Sequence, residues 1–184
     1  MDMPVDVARA LDDLESGDRL AQGEVYATLQ AASLAAGDWG PLVWDRLVVL
    51  LGHKDNRVRA IAGQALCWLA RSIPAELALR DLAAIFAVTR DEKFVTARHV
   101  LQALWQVGRP PTLRAPVIDG LAARYRNCVD EKNATLLRYD ILCGLRRLFD
   151  ATGDLRAKDI SMQMIPLEAD LKYRKKYQTV WSGT

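Results

Sequence analysis

The sequence predicts an all-α protein of about ten helices arranged in antiparallel pairs. Apolar side chains recur at i, i+3, i+4 and i+7, which is the inward face of a helix with about 3.6 residues per turn. No segment sustains the apolar–polar alternation of a strand, and short loops join the predicted helices. With 184 residues, 51% of them hydrophobic, the chain can bury a sizeable core, which excludes intrinsic disorder over most of its length.

The helices follow from this spacing in chain order. One amphipathic helix is predicted from Val7 to Leu14, and another over residues 24–36, where Gly37 ends it. Five more helices are predicted at 42–51, at 77–88, after Pro116, at 155–165 and at 167–181. Pro166 separates the last two.

Three further helices share a preceding acidic turn, which recurs after 36 and then 39 residues. The turns are Asp55-Asn56-Arg57, Asp91-Glu92-Lys93 and Asp130-Glu131-Lys132. The apolar stripes that follow are Ala62, Ala65, Leu66 and Leu69; Val100, Ala103, Leu104 and Val107; and Ile141, Gly144, Leu145 and Leu148. Each aspartate is predicted to cap its helix, because an aspartate at a helix start accepts free backbone N–H groups and complements the helix dipole.

Residues 58–69, VRAIAGQALCWL, together with the turn at Asp55 before them, resemble the second helix of a HEAT repeat. The resemblance is partial over 94–108 and weak over 134–149. It implies a single domain over residues 1–184, an α-α superhelix (a HEAT-like solenoid) of about five antiparallel helix pairs. The core repeats would span about 40–150, and 155–184 would form C-terminal capping helices. Most arrays of this family are protein-binding scaffolds, whereas a minority, the alkylpurine DNA glycosylases built of HEAT-like repeats, grip damaged DNA in the concave groove.

The resemblance places the second helix of each pair on the concave side, and helical phase indicates which residues line that side. The residues opposite the three stripes are Ala60, Gln64, Cys67 and Arg71; Arg98, Gln102, Trp105 and Arg109; and Tyr139, Cys143, Arg146 and Asp150. Arginine and aromatic side chains are favoured at binding hot spots. We therefore predict a binding groove formed by Arg71, Arg98, Gln102, Trp105, Arg109, Tyr139 and Arg146.

An alternative interpretation of this groove is structural. Trp105 would then pack under a neighbouring helix, and the arginines would form a ladder of ion pairs along the array, which is the function predicted for Arg59. Trp68 lies beside the stripe of its helix and is predicted to belong to the core. His99 lies next to the stripe of its own helix and is predicted to be a core or boundary residue.

The last predicted helix is basic and aromatic. The residues that define it are Lys172, Tyr173, Arg174, Lys176, Tyr177 and Trp181. Its aromatic residues are spaced at i, i+4 and i+8, so they share one helix face. This helix either binds nucleic acid or another acidic partner, or it caps the array by covering the last repeat with its aromatic face.

Catalytic and metal-binding motifs are not found in the sequence. It contains no H-E-x-x-H, G-x-S-x-G, P-loop or G-x-G-x-x-G motif, and three cysteines without C-x-x-C spacing do not indicate a zinc site. No cofactor and no metal site are predicted. A glycosylase needs a carboxylate in its groove, and Asp140 is the one candidate, although its phase lies near the buried side.

The charge distribution, the length of the apolar runs and the acidic start of the chain limit the possible functions further. Residues 1–50 carry a net charge of −6 and residues 51–184 one of +8, an asymmetry that can indicate an acidic partner. No apolar run is long enough to span a membrane, and the acidic start lacks the basic region of a signal peptide, so a cytoplasmic protein is expected. We predict a non-enzymatic scaffold that binds a protein or peptide. The alternative is a nucleic-acid-binding protein, in its sharpest form a DNA-repair glycosylase-like enzyme.

Overall fold

A computed structural model describes residues 3–34 and 39–183 of the chain, and these residues are 77% helical with no strand among them. This confirms the all-α prediction. The described residues form ten α-helices: α1 (Val5–Glu15), α2 (Ala21–Leu34), α3 (Gly40–Leu50), α4 (Asn56–Leu69), α5 (Ala75–Val88), α6 (Phe94–Ala103), α7 (Pro111–Asn127), α8 (Ala134–Thr152), α9 (Leu155–Met164) and α10 (Leu171–Val180). Two short 3-10 segments, Leu104–Gln106 and Ile165–Leu167, follow α6 and α9.

The chain packs as two compact units, with the boundary between Val107 and Gly108. The first unit contains α1 to α6, and the second contains α7 to α10. No helix in the described part of the chain is both long and apolar enough to cross a membrane. A single repeat domain over residues 1–184 stays a prediction.

In the first unit, consecutive helices pack against each other: α1 with α2, α3 with α4, and α5 with α6. Helix α4 also packs against α2 and α6. Near its start, Asn56 Nδ2 donates to Thr96 Oγ1 at the start of α6 (3.3 Å), and just after its end Ser72 Oγ donates to the Ser33 carbonyl at the end of α2 (2.9 Å). Because starts meet starts and ends meet ends, α2, α4 and α6 run parallel.

The three predicted apolar stripes are buried throughout, as the helical period requires. The prediction that Ala60 and Cys67 face outwards is wrong, because both are buried in α4. The physical reason is that α4 is surrounded, since it packs against α2, α3, α5 and α6 and so buries more than one stripe.

Helix starts differ most from the predictions at α7 and α10. Helix α7 begins at Pro111 and contains Pro116, because a proline in the first turn needs no N–H donor and the helix continues through the second one at the loss of one backbone hydrogen bond. Helix α10 begins at Leu171 rather than at 167, since Asp170 caps it by accepting from two backbone N–H groups. The predicted end of α2, at Ala36 and Gly37, lies outside the described residues.

The acidic turns cap their helices unequally. Asp55 caps α4 as predicted, accepting from the backbone N–H of Arg57 at 2.8 Å. Asp91 accepts from the backbone N–H of Lys93, although Lys93 itself is the residue before α6. For Asp130 the prediction is wrong, because the turn runs three residues further and α8 begins after Asn133, whose φ of 63° is left-handed.

The close packing of α4 on α6 depends on a residue without a side chain. A Cβ added at Gly63 would lie 2.5 Å from Val100 Cγ2, and Val100 is a stiff, fully buried residue of α6. We expect Gly63→Ala to destabilise the protein by about 1–3 kcal/mol through overpacking, measured by urea denaturation.

Gly144 in α8 provides the matched control. A Cβ there meets no atom within 4 Å, so Gly144→Ala is expected to stabilise the helix by up to about 1 kcal/mol, the ordinary difference in helix propensity. Equal effects of the two substitutions would contradict the close approach of α4 and α6 at Gly63.

In the second unit, α8 is the central helix. Helices α7, α9 and α10 all pack against it, and α7 also packs against α9. The aromatic stripe of α10 faces inwards here: Tyr177 is fully buried and Trp181, just after the helix, is nearly so.

Candidate functional site

The parallel helices α2, α4 and α6 of the first unit carry part-exposed aromatic residues. Trp68 of α4 is part-exposed rather than core, so that prediction is wrong. Its indole Nε1 donates to the hydroxyl of Tyr26 on α2 (3.2 Å), which holds the ring at the surface between the two helices. Trp105, in the 3-10 segment at the end of α6, is part-exposed as well.

The polar residues predicted for this region lie on the same helices. Arg71 follows α4 and lies at the same end of the parallel bundle as Trp105, while Arg98 and Gln102 lie on α6; all are part-exposed. The Arg98 guanidinium lies 5.6 Å from the ring centroid of Phe94. We call the set Tyr26, Gln64, Trp68, Arg71, Arg98, Gln102 and Trp105 the aromatic–arginine face.

Tyr26 and Trp68 were missed by the sequence analysis. The available signal was the spacing of Gln64, Trp68 and Arg71 at i, i+4 and i+7, which is the exposed stripe of α4. The stripe chosen from phase ran one residue earlier through Cys67, which is buried.

Arg59 forms the structural ion pair that the sequence indicated. Its guanidinium donates to both carboxylate oxygens of Asp91, at 2.6 and 2.9 Å, and also to the His53 carbonyl at the end of the α3–α4 turn. Burial raises the pKa of Asp91, but hydrogen bonds from Arg59 and from the Lys93 backbone outweigh it, so the pKa lies below its usual value. This pair links the turns before α4 and α6 and is not a ligand site.

The other two tryptophans of this unit, Trp39 and Trp44, lie near the start of α3 and are buried. Trp44 is fully buried, and its Nε1 donates to Asp81 Oδ2 of α5 at 2.7 Å. His99, predicted to lie in the core or at its boundary, is exposed instead, because it falls outside the buried stripe of Val100, Ala103 and Leu104.

In the second unit, the predicted basic-aromatic helix and α8 are brought together. The Tyr177 ring packs edge-on against Tyr125 of α7 (6.5 Å between centroids) and is stacked with Tyr139 of α8 (6.4 Å). Its hydroxyl lies 2.7 Å from the Thr135 carbonyl oxygen and 3.0 Å from Glu168 Oε2. Burial raises the pKa of Tyr125 to about 12 and also raises the pKa of Tyr177, so both phenols stay protonated.

A buried ion pair lies beneath these rings. Arg138 Nη1 is 3.0 Å from Glu168 Oε2, and the two side chains are only 8% and 5% exposed. The Arg138 guanidinium also donates to the Tyr125 carbonyl and lies 4.8 Å from the centroid of that ring. Burial raises the pKa of Glu168, but hydrogen bonds from the Asp170 backbone, Arg138 and Tyr177 outweigh it and lower the pKa.

Two other predicted cations of this unit are engaged in the fold. Arg146 donates to Asp150 Oδ1 (2.8 Å) and to the Val180 carbonyl (3.0 Å), and its guanidinium lies 5.6 Å from the Trp181 ring. Arg174 donates to the Glu168 carbonyl. Arg109 is part-exposed in the segment before α7.

The outer flank of α10 differs, because its lysines face solvent beside tyrosine rings. Lys176 Nζ lies 4.2 Å from the centroid of Tyr139 and 5.7 Å from that of Tyr173, and both rings are part-exposed. Lys172, one turn before Lys176, is exposed. We call Tyr139, Lys172, Tyr173 and Lys176 the lysine–tyrosine flank.

The described residues hold no candidate metal cluster, and burial disfavours the reactive form of the three cysteines. No group of three or more histidine, cysteine, aspartate or glutamate side chains among them could hold a metal ion. Burial raises the pKa of Cys67, Cys128 and Cys143, which disfavours the thiolate that a cysteine nucleophile requires. Asp140 is buried in α8.

Comparison of the sequence with protein-family models finds no matching model, and comparison with curated proteins finds no significant match.

Proposed function

We propose that this chain is a non-enzymatic, HEAT-like helical scaffold that binds a protein or peptide through the aromatic–arginine face of its first unit. The solenoid architecture of about five antiparallel pairs is part of the proposal. It is supported by the three successive helix pairs α1/α2, α3/α4 and α5/α6, whose second helices run parallel and side by side. The cytoplasmic location also belongs to the proposal and rests on three cysteines that pair in no motif.

The observation that carries the proposal is the surface position of Trp68 and Trp105. A tryptophan that serves only the fold packs as Trp44 does, fully covered and with its indole N–H bound inside. Trp68 instead donates its indole N–H to the hydroxyl of part-exposed Tyr26, and its side chain stays partly in solvent. Large rings held in place before binding lose little entropy when a partner covers them, and such residues dominate binding energies.

The charge of the first unit favours a peptide over a nucleic acid on this face. Residues 1–107 contain 11 basic and 14 acidic residues, a net charge of −3, which repels a polyanion. The partner is therefore expected to be a protein or peptide that offers apolar side chains to the rings of Trp68 and Trp105.

The test is selection from a displayed peptide library against the full chain. Peptides enriched on the wild type should bind the double variant Trp68→Ala, Trp105→Ala at least about tenfold more weakly, since hot-spot residues cost 2 kcal/mol or more on truncation, roughly thirtyfold. Leu79→Ala, which removes a 44% exposed leucine from α5, is the matched control and should leave binding unchanged. Equal retention by all three proteins, or no enrichment, would reject this face.

Stability distinguishes a surface tryptophan from a core one without any partner. Trp105→Ala should lower the free energy of unfolding by well under the ~3–5 kcal/mol expected for a buried tryptophan. Trp44→Ala is the control and should lose that full amount, because it also leaves Asp81 without its indole donor. Thermal denaturation of both variants is the measurement, and equal losses would move Trp105 into the core.

A further inference from the structure

The exposed lysines of α10 belong to the more positively charged of the two units. Residues 108–184 contain 14 basic and 9 acidic residues, a net charge of +5, and α10 itself holds four basic residues and no acid. Five arginines of the unit pair with carboxylates: Arg114, Arg124, Arg138, Arg146 and Arg156. None of the carboxylates in the described residues pairs with Lys172, Lys175 or Lys176.

The ring neighbours of these lysines are held firmly from below. The ring centroids of Tyr139 and Tyr173 lie 6.4 and 6.1 Å from that of buried Tyr177, which is anchored to Glu168 and Thr135. Each ring therefore has one side packed and stays part-exposed. Such fixed rings are surfaces on which a flat group can stack at little entropic cost.

A ligand that uses both features must carry several negative charges and flat rings. Lys172 and Lys176 are at i and i+4, with their Cβ atoms about 6 Å apart on one helix face, so their flexible side chains can reach neighbouring phosphates of one strand. Bases of a single strand are unpaired, so they can stack on tyrosine while the phosphates meet the ammonium groups. In a duplex the bases are already stacked on each other. Acidic side chains of a peptide carry charge but no flat ring that could stack on the tyrosines.

We propose that the lysine–tyrosine flank binds single-stranded nucleic acid, with Lys172 and Lys176 on phosphates and the rings of Tyr139 and Tyr173 under bases. Lys176 now lies over the Tyr139 ring, and a base that stacks there displaces its ammonium group towards the phosphate. This surface belongs to the second unit alone and is independent of the aromatic–arginine face.

The experiment measures fluorescence anisotropy of a labelled oligothymidylate of about a dozen nucleotides with the full chain. Binding is expected at about 50 mM salt, with an affinity that falls steeply towards about 200 mM because phosphate contacts release counterions. Lys172→Gln with Lys176→Gln should weaken binding about tenfold or more. Lys132→Gln with Lys158→Gln removes the same charge elsewhere in the unit and should change affinity much less. Unchanged thermal melting would show that both double variants are folded.

Two further probes separate the contributions of rings and charges. An abasic phosphodiester of the same length should bind at least about fivefold more weakly, because stacking of each base contributes about 1–3 kcal/mol. Polyglutamate of equal charge should bind more weakly still. The proposal is overturned if no oligonucleotide binds at low salt, if the abasic strand or polyglutamate binds as well as oligothymidylate, or if the control variant loses as much affinity as the Lys172/Lys176 variant.

Discussion

A chain that ends at Pro166 is expected to lose the folded structure of its second unit. Residues 167–184 contribute Glu168, which pairs with buried Arg138, and Tyr177, which covers Tyr125. Their removal leaves a buried guanidinium uncompensated and exposes aromatic surface, costs that add to several kcal/mol against the roughly 5–15 kcal/mol that stabilises a typical domain. Circular dichroism should show reduced helicity, and light scattering should show aggregation.

A shorter truncation is the matched control for this prediction. A chain that ends at Trp181 keeps every contact described for Glu168, Tyr177 and Trp181, so its melting temperature should equal that of the full chain. Trypsin provides a second test on the full chain, because Lys172, Lys175 and Lys176 are exposed but lie in a helix that must unwind before cleavage. Rapid cleavage there, or a Pro166 truncation that melts like the full chain, would contradict a packed C-terminal segment.

The sequence predicted the parts of this fold that depend on local periodicity. All three apolar stripes are buried, because a period of 3.6 residues is imposed by helix geometry and needs no knowledge of neighbours. Ala60 and Cys67 were misplaced because their burial depends on how many helices surround α4, which one helix's phase does not contain. Trp68 was misplaced for the same reason, since its hydrogen-bond partner Tyr26 lies 42 residues away in sequence.

The interior of the second unit could not be predicted in the same way. Arg138 and Glu168 are 30 residues apart, and a solvent-exposed arginine has the same local sequence features as one buried in an ion pair. The aromatic spacing of α10 did indicate an inward face, and Tyr177 and Trp181 lie on it. However, the separation of α10 into an anchored side and a lysine-bearing side becomes visible only once α8 is in place against it.

Glu168→Gln is expected to destabilise the protein by about 3–5 kcal/mol at neutral pH, as measured by urea denaturation. The substitution preserves the shape of the side chain but removes its charge, so Arg138 stays buried with no counter-ion. Asp119→Asn is the matched control, because Asp119 pairs with Arg156 at a site where the two side chains are 58% and 46% exposed. Loss of such a surface pair should cost about 0–1 kcal/mol.

Acid pH should narrow the difference between the wild type and the Glu168→Gln variant. The pKa of Glu168 is lowered in the folded protein, so folding favours its charged form, and the resulting stability is complete above the unfolded-state pKa of about 4.3. As the pH falls through the lower folded-state pKa, the carboxylate is protonated in both states and its contribution to stability disappears. Urea denaturation from about pH 7 to about pH 3 should therefore show the wild type losing stability faster than the variant below about pH 4.3, so that the difference between them narrows. A difference that stays constant across this range would mean that the charge of Glu168 does not hold Arg138 in place.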